Sequence, residues 1–351
     1  MASRVTLQDI ADALGVSRNT VSKAINNTGV LADSTREKVL QKALEMGYKQ
    51  FSYASSVSDI TAPSFSQQPK VSGEIALFAG GLLSSSHFAS TMLDKFQYEI
   101  SLRGYSLSMH RVDTKNIEDL SLPLSFNKKE NVKGIMCIEM FNHPYCEMLC
   151  SLGLPILMVD APVASYWKPL DADIILMDNF SNIYTVINDM KKKGLTRIGF
   201  VGQVTHCRSF YERFMAFREA MYINNLTVDD RFCLTEIHSH GSDYRDYLTV
   251  ALERLGEMPE LFICANDFVA LDVLYGLQKM GLTCPGDIKL FGFDDSPESK
   301  IMTPSLSTSH IHSQVIGYSA ANLIMSRISQ PDLNFRTVYT ETSLIYRTST
   351  I

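Results

Sequence analysis

A chain of 351 residues with 45% hydrophobic side chains and a formal charge of −6, and a mean hydropathy of −0.01, has the profile of a globular protein of two or three domains. No run of about twenty apolar residues occurs, so no membrane span is expected. Capped helix begins almost at once, with no apolar leader before it, and the expectation is a cytoplasmic protein. Seven scattered cysteines without a Cys-x-x-Cys pair read as small buried hydrophobes in a reducing compartment.

The charge is unevenly placed. Residues 1–50 hold seven Lys/Arg against five Asp/Glu, a net of +2, which leaves −8 for the rest. A mildly basic head on an acidic body fits local contact with nucleic acid, the body being held off the phosphates. Within the head, Val5 to Asn27 reads as two short helices joined by a tight turn. Leu7, Ile10, Ala11 and Leu14 recur at helical spacing and mark a buried side. Thr6 and Asp9 form a capping-box-like start, and Gly15 permits the sharp turn that ends the helix. Ser17 caps the second helix, whose Val21, Ala24 and Ile25 face inward, leaving Arg18, Asn19, Ser22, Lys23 and Asn26 outward. In the DNA major groove, guanidinium and ammonium groups pair with guanine and amides with adenine. The competing reading is a plain helical hairpin with a solvated face.

A third helix is predicted from Ser34 to Met46, capped by Ser34 and Glu37, with Val39, Leu40, Ala43 and Met46 inward and Gly47 as its stop. Residues 51–72 turn to Ser, Gln, Thr and Pro and read as a linker. From Val71 onward strand-like runs (Glu74–Ala79, Leu107–Val112, Gly134–Ile138, Ile156–Val159, Ile174–Met177, Arg197–Val201, Leu261–Ala265, Lys289–Phe293) alternate with helix-like ones (Phe88–Arg103, Asn179–Lys193, Phe210–Asn224, Asp243–Leu255, Phe268–Met280, Gln314–Ile328). That alternation predicts an α/β body of parallel sheets covered on both faces, long enough for two doubly wound lobes.

Thr6, Asp9, Ile10, Ala11, Gly15, Val16, Ser17, Thr20, Val21, Ser22, Lys23 and Asn26 together closely resemble the opening of the lactose/galactose repressor family. The resemblance implies a helix-turn-helix head over 1–50, a hinge over 51–72, and a two-lobed, periplasmic-binding-protein-like effector-binding and dimerisation domain over 73–351. Lobe 1 would take about 73–173 and 309–330, and lobe 2 about 174–308 and 331–351. The implied DNA-contacting set is Thr6, Ser17, Arg18, Asn19, Thr20, Ser22, Lys23 and Asn26. Arg18, Asn19 and Lys23 would reach base edges, with Ser17, Thr20 and Ser22 on phosphates or caps. The family's hinge signature, Ala-Arg-x-Leu after Gly-Tyr, stands here as Ala54, Ser55, Ser56 and Val57 after Gly47 and Tyr48. Its arginine is missing and its leucine wedge is a valine.

Open parallel sheets bind ligands beyond the carboxyl ends of their strands. Asp160, the Asn266–Asp267 pair and the Asp294–Asp295 pair each end a strand-like run, and Arg213 lies early on a helix. Carboxylates, an amide and a guanidinium converging on a cleft can chelate vicinal hydroxyls, which is sugar chemistry. Against this, Asp267 and Asp295 read equally as helix caps, and Arg213 as a surface ion-pair partner of Glu212. The family carries matching motifs: an Asp after this strand, an Arg ahead of Gly-Phe (Ala216-Phe217 here), Asn266-Asp267-x-x-Ala270-Leu271, Gly292-Phe293-Asp294-Asp295 and Thr303-Pro304-x-Leu306-Ser307-Thr308. They imply Asp160, Arg213, Asn266 and Asp294 as ligand-binding residues, and Phe88 of this chain's own loop completes the expected set. The loop before the first helix, Ser84-Ser85-Ser86-His87-Phe88, departs from the family's Asn-Pro-Phe-Phe-like run. Phe88 is left to stack on a sugar face, and the effector is expected to differ from that of the best-matched relatives.

There is no Gly-x-Ser-x-Gly elbow, Walker loop or Gly-x-Gly-x-x-Gly after a strand, and the His238-x-His240 pair lacks a partner at metal-ligand spacing. No catalysis, cofactor or metal is therefore expected. The sequence reading is a DNA-binding repressor of carbohydrate-utilisation genes, a homodimer on a near-palindromic operator, switched by a small-molecule effector, a sugar. Control by a partner protein or a non-sugar effector is the alternative. A sugar-binding transport protein shares the two-lobed fold but requires a signal peptide and no helix-turn-helix.

Overall fold

The computed structural model describes residues 5–25, 35, 38–39, 41–43, 46, 73–80, 87–126, 131–236 and 244–351. The chain folds as two units, Met1–Gln68 and Pro69–Ile351.

In the first unit, α1 (Leu7–Leu14) and α2 (Arg18–Ile25) flank a turn. The Thr6 hydroxyl accepts from the Asp9 amide at 3.3 Å, and the Asp9 carboxylate accepts from the Thr6 amide at 2.7 Å, so the two satisfy each other's unpaired first-turn N–H groups. Gly15 ends α1 at φ 65°, ψ 31°, a left-handed conformation in which a side chain is strained. Ile10, Ala11, Val21, Ala24, Val39 and Ala43 form the buried core of this unit. Residues 35, 38–39 and 41–43 are helical, within the third helix expected. The linker over 51–72, including Ala54–Val57, lies outside the described residues.

The second unit holds two six-stranded sheets. Its elements in chain order are β1 (Gly73–Ala79), α3 (His87–Ser101), β2 (Tyr105–Arg111), α4 (Thr114–Glu118), β3 (Val132–Ile138), α5 (His143–Cys150), β4 (Ile156–Val159) and β5 (Asp173–Met177), then α6 (Ser181–Lys192), β6 (Ile198–Val201), α7 (Arg208–Ile223), β7 (Cys233–Leu234), α8 (Tyr244–Glu253), β8 (Leu261–Cys264), α9 (Asp267–Lys279), β9 (Lys289–Asp294), α10 (Pro297–Ile301) and β10 (Ser307–Ile311), and finally α11 (Ser313–Ser329), β11 (Thr337–Thr340) and β12 (Thr342–Ile345). The first sheet runs β11-β5-β4-β3-β1-β2 and the second β12-β10-β9-β8-β6-β7. Among the described residues every pairing is parallel except that of β10 with β12.

Burial on both faces explains why these strands read as continuous apolar runs. Along β1, Ile75 and Leu77 join one cluster with Met92, Phe96 and Ile324 of α3 and α11, while Ala76 and Phe78 join another with Tyr145 and Leu149 of α5. The second sheet is built alike: Phe200, Ile263 and Phe291 meet α6 and α7 on one face, and Val201, Phe262 and Leu290 meet α8 and α9 on the other. Removing one large apolar side chain from such a core costs about 3–5 kcal/mol.

The lobe limits differ from those expected. Ile174–Met177 pairs with β4, and β11 pairs with β5, so both belong to the first lobe and not to the second. Periodicity shows that a stretch is a strand but not which sheet it joins. Thr337–Thr340 is an edge strand with alternating exposure, and its polar sequence gives no buried-strand signal. The chain crosses between lobes three times, at 178–180, 312 and 341.

Candidate functional site

On α2 the local chemistry fixes which side chains face out. The Ser17 hydroxyl accepts from the Thr20 amide at 3.0 Å and lies 2.8 Å from the Thr20 hydroxyl, so both are committed to the helix start. Arg18 and Asn19 are exposed, Thr20, Ser22 and Lys23 are half-buried, and Val21 and Ala24 are buried. Thr6 serves as the α1 cap. Asn26 lies outside the described residues.

In the second unit the expected ligand residues gather at the carboxyl ends of strands from both lobes. Asp160 follows β4 with φ 61°, and its Oδ1 accepts from the Ala161 amide at 2.7 Å and, across the cleft, from the Ser209 amide at 3.2 Å. The Arg208 amide likewise donates to the Ala161 carbonyl at 2.8 Å. The first turn of α7, on the second lobe, is thus seated on the loop after β4 of the first. Burial raises the Asp160 pKa, the amide and Ser209 contacts opposing it.

Arg213, one turn further along α7, is 3% exposed. Its Nε donates to Asn179 Oδ1 at 2.9 Å, its Nη1 donates to the Ala265 carbonyl at 2.7 Å, and its guanidinium lies 3.5 Å from the centre of the Phe293 ring. It does not pair with Glu212 at the surface. Glu212 turns the other way and pairs with Arg208 at 3.0 Å. Asp294, at the end of β9 with φ 116°, holds an oxygen 3.9 Å from Arg213 and keeps 26% of its side chain exposed. Burial raises its pKa, Arg213 pulls it down and Asp267 pushes it up.

The caps fall differently from the expectation. Asn266 is the residue that caps α9, its Oδ1 accepting from the Val269 amide at 2.9 Å, which leaves its NH2 toward other partners. Asp267 is fully buried and accepts from Thr308 Oγ1 at 2.6 Å and from the Ser296 amide at 2.8 Å. A Cβ on Gly292 would collide with that carboxylate, so the Gly-Phe-Asp-Asp turn needs its glycine. Asp295 accepts from Arg347 at 2.5 Å and lies 2.9 Å from His310 Nδ1 and 3.2 Å from Lys300. Burial raises its pKa, but the hydrogen bond with His310 and the contacts with Arg347 and Lys300 outweigh burial and hold it at about 2.

Phe88 is half-buried and packs on the apolar cluster that includes Phe293 and Ile311. The side chain of His87, Ser84–Ser86, His238 and His240 lie outside the described residues. Phe141, His206 and Phe210 went unpredicted. Their ring centres are 5.0 and 5.1 Å apart, and Phe210 lies 5.8 Å from the Arg213 guanidinium. Phe141 follows β3 and the other two flank the start of α7, so a strand-end reading extended to aromatics would have found them. The seven cysteines are all unpaired, four of them buried. Among the described residues no cluster of three metal-ligating side chains occurs, and no helix is long and apolar enough to cross a membrane.

Comparison with known proteins agrees with this geometry. Residues 6–50 match the bacterial regulatory proteins of the lacI family, and residues 187–350 match the periplasmic binding protein-like domain. The HTH-type transcriptional regulator GalR of Lacticaseibacillus casei is 28% identical over 99% of both chains. The transcriptional regulator CelR in its cellobiose complex superposes with a TM-score of 0.67 at 20% identity, covering 99% of this chain and 100% of that one. The lac repressor dimer bound to operator and the anti-inducer ONPF gives 0.61 at 18% identity with the same coverage. With a helix-turn-helix at its start and two doubly wound lobes behind it, the chain belongs to the lacI family of regulatory proteins.

Proposed function

We propose that this transcriptional regulator is a repressor that reads a near-palindromic operator as a homodimer and is switched by a neutral, polyhydroxylated ligand, a sugar, held between its lobes. On the DNA side the support is α2, which presents Arg18 and Asn19 exposed with Lys23 one turn on. Guanidinium and amide groups there suit guanine and adenine edges. A net charge of +2 in residues 1–50 neutralises few phosphates, so one head binds weakly and two on one chain pair bind well.

On the ligand side one observation carries the reading. Two of the three nitrogens of Arg213 are already donating inside the protein, and its face is covered by Phe293. Meanwhile Asp160 and Asp294 present carboxyl oxygens to the same cleft. An anionic ligand would meet two carboxyls beside a single guanidinium that already spends two of its five N–H groups inside the protein. A neutral ligand rich in hydroxyl donors would satisfy both carboxyls, with Phe210 and Phe141 available to its apolar faces. Ligand binding that favours one lobe angle would change the spacing of the two heads and so the fit to the operator.

A thermal-shift panel of neutral mono- and disaccharides, sugar acids, phosphosugars and nucleobases tests the ligand class, since a ligand that binds only the folded state raises Tm. The expected result is a rise with neutral sugars alone. A rise confined to phosphosugars or nucleobases overturns the sugar assignment and leaves the DNA-binding reading in place.

A further inference from the structure

Glu212 is 1% exposed, and four side chains donate to its carboxylate. Tyr166 Oη lies 2.5 Å and Tyr339 Oη 2.7 Å from Oε1, which also accepts from Arg208 Nε at 3.0 Å, while Asn179 Nδ2 donates to Oε2 at 2.7 Å. These donors come from different bodies. Tyr166 lies between β4 and β5, and Tyr339 on β11, both in the first lobe. Arg208 and Glu212 are on α7 of the second lobe, and Asn179 is in a crossover. The Arg208 guanidinium sits 4.4 Å from the Tyr166 ring centre and donates to Tyr339 Oη at 2.9 Å, so the cation belongs to the same knot.

A carboxylate buried to this degree is costly unless fully paired. All the groups that pair it are in place only while the two lobes hold their present angle. Burial, together with the bond to Glu212, raises the Tyr166 pKa and pushes that of Tyr339 up to about 12, so both phenols remain donors across the physiological range.

We propose that Glu212 is a positioning residue that latches the two lobes together at this angle and couples that latch to the cleft. The coupling runs through Asn179. With its amide nitrogen held by Glu212, its oxygen faces Arg213 Nε at 2.9 Å. A shift of Arg213 therefore turns Asn179 and loosens a donor of the latch, and by linkage release of the latch frees Arg213. The coupling rests on the reading that the cleft takes its ligand at Arg213. The test uses no ligand, so its failure leaves that reading untouched.

The amides of Arg208 and Ser209 report the latch directly. Both stand in the first turn of α7, where no intrahelical acceptor exists, and both donate to the first lobe, at Ala161 O and Asp160 Oδ1. Hydrogen–deuterium exchange of the full-length, ligand-free chain would compare wild type with Glu212→Gln, Tyr166→Phe/Tyr339→Phe and Arg213→Lys. The tyrosine pair, which loses only two hydroxyls, is expected to exchange these amides at least about tenfold faster, with amides in β3 and β8 unchanged. Tenfold corresponds to ~1.4 kcal/mol, less than two hydrogen bonds to a charged group supply. Glu212→Gln is expected to match or exceed that effect. Arg213→Lys, which keeps the charge but loses the planar bond to Asn179, is expected to accelerate the same amides several-fold. Wild-type rates in the tyrosine variant, or faster exchange spread equally over β3 and β8, overturn the latch. Wild-type rates in Arg213→Lys overturn the coupling. If Glu212→Gln does not fold, the tyrosine variant decides.

Discussion

The head and the cleft use the same residue types in opposite ways. On α2, Arg18 and Asn19 stand exposed on a helix whose caps and core are supplied by other residues, Ser17 and Thr6 for the ends and Ile10, Ala11, Val21 and Ala24 for the packing. In the cleft, Arg213 is 3% exposed and committed to Asn179, Ala265 and Phe293, and Asp160 bridges lobes through backbone amides. Under the proposed function, the head keeps recognition separate from stability. In the same reading the cleft makes the same side chains serve both, so a change there registers in the fold itself. That coupling is what a switch requires, because a ligand can move a conformational equilibrium only through groups that differ between the states.

Substitutions sharpen the contrast. The largest effect is expected for Arg213→Ala, which removes a buried cation from Asp294 and leaves the Ala265 carbonyl and the Asn179 oxygen without their donor. The melting transition of the lobes should lose about 3 kcal/mol, and the ligand-induced rise in Tm should vanish. Arg18→Ala should leave melting within about 0.5 kcal/mol of wild type while weakening specific DNA binding. Equal melting of the two variants would break the contrast.

A smaller effect of opposite sign is expected for Asp294→Asn. The carboxyl pKa is raised in the folded state because burial penalises its charge. Above that raised value the wild type bears the cost of a buried charge, and the amide variant does not. The substitution should therefore stabilise the lobes by about 1 kcal/mol at neutral pH. The gain should fade as pH falls and disappear below the ordinary carboxyl range, about 4, where the acid is neutral in both states. Ligand response should weaken in the same protein, the usual exchange between stability and function. A neutral-pH Tm at or below that of wild type would remove the strain assigned to Asp294.

How much of this was legible in the sequence depends on how local the cause is. The head's capping box spans four residues, its turn rests on one glycine and its buried stripe lies within one eight-residue helix, and they stand where the spacing put them. The strands and helices of the lobes were readable for the same reason, because two-faced burial makes an apolar run. What stayed hidden was set by long-range pairing. Which sheet β5 and β11 join is decided by partners far away in sequence, and Cys233–Leu234 and Thr337–Thr340 are too short or too polar to signal a strand. At the site, strand ends pointed to Asp160, Asn266 and Asp294, but the roles of Asn266 as cap and Asp267 as buried acceptor needed the fold. Glu212 looked like a neighbour of Arg213. Only the helix phase and the two tyrosines of the other lobe show it as the acceptor at which both lobes meet.

The proposed regulator reads a symmetric DNA site through α2. It is tested most directly by selecting bound duplexes from a random pool with the full-length protein, in parallel with Asn19→Ala. Enrichment of a near-palindrome by the wild type is the expected result. The variant should relax preference at one position in each half-site, at a cost of about 1–3 kcal/mol there, and leave the other positions unchanged. No enrichment, or an asymmetric site read identically by both proteins, would contradict it.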